Sequence, residues 1–167
     1  NFFTKTAPKV DMFTNDSPDE LKPALNENKI LVPEVKWDSK SLIIDGQRVV
    51  PVMGEVHFSR IPASEWKNEM RKMKEGGVTI VATYVFWNHI EEQEGIFNWS
   101  GQRDLRRFIE ICKEEQLPVI LRIGPFCHGE VRNGGIPDWV FTKGCKTCSQ
   151  DPKFLSFVDT LYRQIFS

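Results

Sequence analysis

The stretch VTIVATYVF at residues 78–86 decides the fold, because it is a nearly continuous apolar run rich in β-branched residues. A strand that is buried on both faces of a parallel sheet has this composition. Working outward along the chain, PVILRI at residues 118–123 has the same character, and VMGEVHF at residues 52–58 is a weaker example. The sequence therefore predicts three strands of one sheet.

Amphipathic helices are predicted between and after these strands. Apolar residues recur at helical spacing from Trp66 to Met73, and a second helix is expected at about residues 103–116. Asp151 followed by Pro152 has the order of an N-cap and a first helical residue, which predicts a third helix. Its predicted apolar face consists of Leu155, Val158, Tyr162 and Ile165. Strands that alternate with helices are typical of βαβ units and a parallel sheet.

Two architectures contain such units, the open doubly wound sheet and the closed (β/α)8 barrel. The doubly wound sheet usually has a glycine-rich phosphate loop after its first strand, and residues 55–60, EVHFSR, do not form one. Polar and aromatic residues instead follow the end of each strand, where barrel enzymes have their active sites. A complete barrel needs about 250 residues. The 167 residues therefore predict a partial (β/α)8 TIM barrel that comprises the first three βα units.

The segment before the first strand has a different character. Residues 1–35 are rich in Pro, Asn, Asp and Lys without sustained periodicity, which predicts an irregular leader or linker. Asp45-Gly46 lies between two short apolar runs and predicts a β-hairpin. The expected domain therefore covers residues 36–167, as the N-terminal portion of a truncated barrel domain.

Charge and composition exclude some classes of function. The formal net charge of −1 gives no electrostatic reason to expect a nucleic acid or an anionic membrane surface as partner. No apolar run approaches the length of a membrane span. Cys145 and Cys148 form a C-x-x-C pair, which supplies too few ligands for a structural zinc ion and is interpreted as two loop thiols.

Each predicted strand is followed by a cluster that mixes polar groups with large aromatic rings. These clusters are GEVHFSR at residues 54–60, TYVFWNHIE at residues 83–91 and RIGPFCHGE at residues 122–130. Sugar hydroxyls need fixed hydrogen-bond donors and acceptors, and the C–H faces of sugars pack on aromatic rings. The clusters therefore predict a carbohydrate as the substrate.

The chain resembles the β-galactosidases of glycoside hydrolase family 35. GEVHFSR, TYVFWN-x-x-E, DLRRFIEIC and LRIGPF…GE…GGIPDWV occur in that family's order and at nearly its spacing, over residues 37–166. The resemblance implies a (β/α)8 barrel and a retaining hydrolase that cleaves terminal β-galactosyl or similar residues from oligo- or polysaccharides. It implies no metal or organic cofactor, and it favours a secreted or periplasmic protein.

The resemblance also implies roles for particular residues. The family uses an acid/base glutamate after the fourth strand and a nucleophilic glutamate after the seventh. Both are expected beyond Ser167, so the 167-residue chain alone is expected to be inactive. The residues that match the family's sugar-holding positions, or that lie close behind them by position, are Tyr84, Glu130, Asn88, Glu91, His57 and Arg60.

The motifs depart from the family pattern at two places. Residues 128–131 read HGEV where the family usually has Cys-Ala-Glu-Trp, and Ile90 stands where the family often has a histidine. A galactose preference is therefore less firmly implied than membership of the family.

Other interpretations of the same residues remain open. Glu130 is alternatively a solvated loop carboxylate or the partner of Arg122 or Arg132 in a salt bridge. The whole chain is alternatively a non-catalytic sugar-binding or assembly half-barrel, in which two copies pair their exposed strand edges. A third alternative is a metal-dependent barrel hydrolase. Its ligands would be His57, His89 and His128.

Overall fold

A computed structural model describes residues 34–167, which fall into two compact units. The first unit ends at Val50, and the second spans Pro51–Ser167. Together they contain strands and helices, so the chain is a mixed α/β protein, as the sequence predicts. The predicted leader at residues 1–35 lies almost wholly outside the described residues.

The first unit contains a three-stranded antiparallel sheet with the order β1-β2-β3. The strands are β1 (Val35–Trp37), β2 (Leu42–Ile44) and β3 (Gln47–Val49). Asp45 and Gly46 join β2 to β3 with φ angles of 48° and 78°. Two consecutive positive φ angles are the signature of the type I′ turn, whose twist matches that of the flanking strands.

The second unit contains a parallel sheet in which chain order equals spatial order, β4-β5-β6. The strands are β4 (Met53–Glu55), β5 (Ile80–Tyr84) and β6 (Val119–Arg122). The helices of this unit are α1 (Trp66–Glu75), α2 (Trp87–Ile90), α3 (Leu105–Glu114), α4 (Asp138–Phe141) and α5 (Pro152–Ile165). One long helix, α1 or α3, connects each strand to the next, so both connections are βαβ units.

The main core lies where α1 and α3 pack against the sheet. Trp66 and Phe108 are fully buried with their ring centres 5.5 Å apart, and the Trp66 indole donates a hydrogen bond of 3.0 Å to the Phe58 carbonyl. A Cβ on Gly54 would lie 2.5 Å from the Met73 Cε atom, so the glycine permits β4 to approach α1 closely. Burial of each such large side chain contributes about 1.5–3 kcal/mol to folding.

The opposite face of the sheet is less well covered. All five residues of β5 are buried, which confirms the prediction for that strand. Met53 and Ile120, which lie in the two flanking strands, are 55% and 45% exposed. The prediction that β6 is a buried strand is therefore wrong, since its other three residues are half-buried and Ile120 is exposed, because no element of the second unit covers that part of the face.

The longest helix, α5, begins as the sequence predicts. The Asp151 side chain accepts hydrogen bonds from the backbone N–H groups of Lys153 and Phe154, and Pro152 is the first helical residue. The buried side chains of the helix are Phe154, Val158, Leu161 and Ile165. The predicted face is therefore confirmed at Val158 and Ile165 but wrong at Leu155, which is 46% exposed because Phe154 occupies the inward position.

The four cysteines divide into two kinds. Cys112 and Cys127 are buried, whereas Cys145 is half-buried and Cys148 is exposed, and all four are free thiols. Burial raises the pKa of Cys112 and of Cys127 to about 12.

Within the described residues, no helix combines the length and the apolar character that crossing a bilayer requires.

Candidate functional site

The carboxyl ends of the three parallel strands bring charged and aromatic side chains together. Tyr84 ends β5 and is the register partner of Arg122, which ends β6. The Arg122 guanidinium carbon lies 3.8 Å from the centre of the Tyr84 ring, a distance at which a cation is attracted by the face of the ring. Arg122 also donates a 2.5 Å hydrogen bond to the carboxylate of Glu55, the last residue of β4.

Tyr84 itself is almost completely buried, with 4% of its surface exposed. Its ring stacks at 6.0 Å from the Phe86 ring, and together with Cys127 these side chains form a small cluster separate from the main core. Among residues 34–167 the Tyr84 hydroxyl has no hydrogen-bond partner. It is thus available to a ligand that approaches the strand ends.

His57 lies beside the same two aromatic rings. Its ring centre is 5.7 Å from that of Tyr84 and 4.9 Å from that of Phe86. The Nε2 atom is 3.5 Å from a Glu55 carboxylate oxygen, while the buried Nδ1 atom has no partner within the described part of the chain. Burial is the largest cause that lowers the pKa of His57, which favours the neutral imidazole.

Glu130 follows β6 in a loop and has a left-handed backbone with φ of 53°. Its carbonyl oxygen accepts a 3.1 Å hydrogen bond from Arg60. Its exposed carboxylate forms no salt bridge in residues 34–167, because Arg122 pairs with Glu55 and Arg132 pairs with Asp138. Neither salt bridge considered for Glu130 is therefore present, and the carboxylate is open to solvent or to a ligand.

Glu91 has a different environment from Glu130. It is 2% exposed, and its two carboxylate oxygens accept hydrogen bonds of 2.6 Å from the Trp87 indole and from the backbone N–H of Gly95. The Glu91 carbonyl accepts a further bond of 3.2 Å from the Trp139 indole. Glu91 therefore fixes the loop that follows α2, and neither of its side-chain oxygens is free.

Asn88 is half-buried on the short helix α2. Its side-chain amide donates a long hydrogen bond of 3.5 Å to the Arg132 carbonyl. Its Oδ1 atom is buried and has no partner among residues 34–167. Asn88 thus connects α2 to the loop that contains Glu130, and its Oδ1 acceptor is left unused.

A family model decides where the chain belongs. The model described as glycosyl hydrolases family 35 matches residues 41–167. The chain belongs to glycosyl hydrolase family 35. This confirms the resemblance that the strand-end motifs carry.

Relatives from bacteria, archaea and plants are similar to this family 35 chain. A β-galactosidase of Xanthomonas manihotis is 40% identical over 138 residues, which are 80% of this chain and 23% of the relative. An exo-β-D-glucosaminidase of Pyrococcus horikoshii is 38% identical over 123 residues, 71% of this chain and 16% of the relative. β-Galactosidase 11 of Oryza sativa subsp. japonica is 40% identical over 106 residues, 64% of this chain and 12% of the relative. The chain thus spans less than a quarter of the length of these relatives.

The three histidines of this family 35 chain do not share one environment. The rings of His57 and His89 pack on Phe86 at 4.9 Å and 5.1 Å, whereas the His128 ring packs on Phe126 at 5.0 Å. His89 also shares a hydrogen bond of 2.9 Å with the Ser59 hydroxyl. Over residues 34–167, no three His, Cys, Asp or Glu side chains are grouped as they would be around a metal ion.

Three residues of the site are not among the sugar-binding residues that the resemblance implies. Glu55 and Arg122 form an ion pair beside Tyr84, and Phe86 contacts His57, His89 and Arg60. Glu55 and Arg122 each end a strand, and a charged residue at the end of a predicted strand can be recognised from the sequence as a candidate for the site. Phe86 carries no such signal, since a fully buried phenylalanine after an apolar strand looks like any core residue.

Proposed function

We propose that the protein to which this chain belongs is a retaining glycoside hydrolase. Its substrates are terminal β-galactosyl residues, or similar β-linked sugars, of oligo- or polysaccharides. Membership of family 35 supports this proposal. The names of the relatives include both β-galactosidase and exo-β-D-glucosaminidase, and a β-linked hexose is common to the two.

One observation carries the proposal, namely that the backbone beside Glu130, whose carboxylate is unpaired, packs on an aromatic ring that stacks with Tyr84. A Cβ on Gly129, the neighbour of Glu130, would lie 2.7 Å from the Phe86 ring, which itself stacks with Tyr84. Tyr84 and the loop that contains Glu130 therefore contact the same ring. A carboxylate accepts hydrogen bonds from adjacent sugar hydroxyls, and aromatic rings pack against the C–H face of the sugar.

The parallel sheet supports a partial (β/α)8 barrel as the architecture. Three consecutive strands lie side by side in chain order, with the main core on one face and exposed Met53 and Ile120 on the other. In a closed barrel this second face is the packed interior. The family match starts at residue 41, inside the hairpin unit. We therefore propose that residues 36–167 belong to one barrel domain and that residues 1–35 are an irregular leader or linker.

The described residues contribute to sugar binding in this proposal, and the two reacting glutamates lie outside the 167 residues. Retaining hydrolysis requires two carboxyl groups about 5 Å apart on the two sides of the scissile bond. Glu91 is enclosed by its own hydrogen bonds, and Glu55 is paired with Arg122. Among the glutamates of the site that the structure describes, Glu130 alone keeps an unpaired carboxylate, which suits it to bind a hydroxyl.

A titration of the purified chain with D-galactose tests the sugar-binding role. We expect the amide signals of Tyr84, Phe86 and Glu130 to shift in NMR spectra. Glu130→Gln should weaken binding roughly tenfold, because a charged hydrogen bond is worth about 1.5–3 kcal/mol. Glu110→Gln, on the exposed side of α3, is the matched control and should bind as wild type.

An assay with an aryl β-galactoside tests the placement of the reacting glutamates. We expect no turnover by the 167-residue chain alone, because it would lack both carboxyl groups that act on the glycosidic bond. Steady turnover that disappears in Glu130→Gln would instead make Glu130 a reacting group and would overturn this part of the proposal.

A further inference from the structure

We propose that Arg60 and Phe86 are positioning residues, which hold the Glu130 peptide so that its carboxylate faces the sugar. This inference rests on the proposed role of Glu130 in sugar binding. It gives Arg60 a role different from direct contact with the sugar. The three contacts that carry it join Arg60 to Glu130, Arg60 to Phe86, and Phe86 to Gly129.

The first contact fixes the Glu130 carbonyl. The Arg60 Nη2 atom donates a 3.1 Å hydrogen bond to this oxygen from the loop that follows β4. Glu130 has φ of 53°, a left-handed backbone that is unfavourable for a residue with a side chain. Contacts from outside the loop are needed to keep such a conformation, and the bond from Arg60 is one.

The second contact fixes Arg60 itself. Its guanidinium carbon lies 4.6 Å from the centre of the Phe86 ring, within the range of a cation–π interaction. The Phe86 ring is fully buried, so it is a rigid support for the otherwise exposed arginine. The guanidinium group of Arg60 therefore bridges the Phe86 ring, which follows β5, and the Glu130 carbonyl, which follows β6.

The third contact fixes Gly129, the residue before Glu130. A Cβ atom on Gly129 would lie 2.7 Å from the Phe86 Cε1 and Cζ atoms and 3.3 Å from the Nε2 atom of His57. The backbone at Gly129 therefore lies directly on the Phe86 ring, and a side chain at residue 129 would push the backbone away from the ring. Phe86 thus locates Gly129 while Arg60 orients Glu130, and together they set the direction of the carboxylate.

NMR of the full 167-residue chain tests the positioning without any sugar. In Arg60→Ala we expect the amide signals of Gly129 and Glu130 to move and the three-bond HN–Hα coupling of Glu130 to change. Arg60→Lys, which keeps a donor and a charge, should restore part of the wild-type signals. Arg163→Ala removes an exposed arginine of α5 as the matched control. Gly129 and Glu130 signals that are as unperturbed in Arg60→Ala as in Arg163→Ala would overturn the inference.

A double-mutant cycle with D-galactose separates positioning from direct contact. If Arg60 acts through Glu130, Arg60→Ala and Glu130→Gln each weaken binding, and the double variant binds no more weakly than Glu130→Gln alone. Losses that multiply in the double variant would show that Arg60 contacts the sugar itself, and the inference would be wrong. If the wild-type chain does not bind galactose, the proposed sugar-binding role of this chain fails, while the backbone signals of Glu130 still decide the positioning.

Discussion

Phe126 packs so closely against Gly134 that a Cβ atom on the glycine would lie 2.1 Å from the Phe126 Cε2 atom. Gly134 also has φ of 62°, and its carbonyl accepts a 2.7 Å hydrogen bond from the backbone N–H of Cys127. The pair therefore joins the segment that follows β6 to the glycine-rich loop beyond Glu130. Phe126 remains 45% exposed, so the contact holds an aromatic ring at the surface next to the candidate site.

Replacement of Gly134 should lower the free energy of unfolding by more than the cost of its left-handed backbone alone. Gly95 has φ of 78° and nothing within 4 Å of its Cβ position, so Gly95→Ala measures the cost of the left-handed backbone, about 1–2 kcal/mol. Gly134→Ala should lose about 1–3 kcal/mol more, because the added methyl group overlaps the Phe126 ring. Urea denaturation of the two variants measures this difference. Equal losses would show that Phe126 moves aside freely.

Removal of the charge of Glu91 should destabilise the protein. In Glu91→Gln one of the two side-chain acceptors becomes an NH₂ group that faces an N–H donor, either the Trp87 indole or the Gly95 amide. We expect the free energy of unfolding to fall by about 1.5–3 kcal/mol, the value of a hydrogen bond to a charged group. Glu92→Gln is the control, since Glu92 forms only an exposed pair with Arg103 and should change stability by less than about 1 kcal/mol.

Stability should decrease as the pH falls below about 6.5. Burial is the largest cause that lowers the pKa of both His57 and His89, and the positive charge of Arg60 lowers both further. In the unfolded chain these imidazoles take up protons near pH 6.5, whereas the folded chain resists protonation until the pH is lower. Their contribution is therefore fully present above pH 6.5 and is lost as the pH falls through the folded-state values.

Urea denaturation between about pH 5 and pH 8 measures this dependence. The double variant His57→Asn, His89→Asn should flatten the part of the curve below pH 6.5. A double variant with an unchanged slope would assign the pH dependence to other groups.

The four thiols should react in two groups. Burial raises the pKa of Cys112 and Cys127 to about 12, so at pH 8 their thiolate fraction is about three orders of magnitude below that of an ordinary cysteine. With an aromatic disulfide reagent, we expect Cys145 and Cys148 to react in the native chain and the other two only after denaturation. Cys145→Ser, Cys148→Ser should abolish the native reaction, and four equally fast thiols would contradict the buried positions.

Much of the local structure can be predicted from residue patterns. The apolar run that becomes β5, the Asp45-Gly46 turn and the Asp151-Pro152 helix start each depend on neighbours in sequence, and each is present in the structure. The failures at Ile120 and Leu155 concern burial instead. Burial depends on which distant element covers a residue, and no local pattern contains that information.

The candidate site shows the same division. Motif resemblance proposes both Glu130 and Glu91 as sugar-binding residues, but it does not distinguish Glu130, whose carboxylate has no salt bridge, from Glu91, whose carboxylate is fully engaged. Both are glutamates in a loop after a strand of the parallel sheet. They differ because Glu91 meets the Trp87 indole and the Gly95 amide, and these contacts depend on how the loop folds back.

The amino-acid sequence by itself determined the three parallel strands and the three long helices of residues 51–167, their βαβ order and the residues that resemble family 35, because periodicity, turn chemistry and motifs depend on neighbouring positions. Only the tertiary structure decided that Arg122 lies on Tyr84, that Arg60 bonds to the Glu130 carbonyl and that Gly129 lies against Phe86. These contacts join segments from different strand ends. Parallel pairing of β4, β5 and β6 in one register is what places those ends side by side.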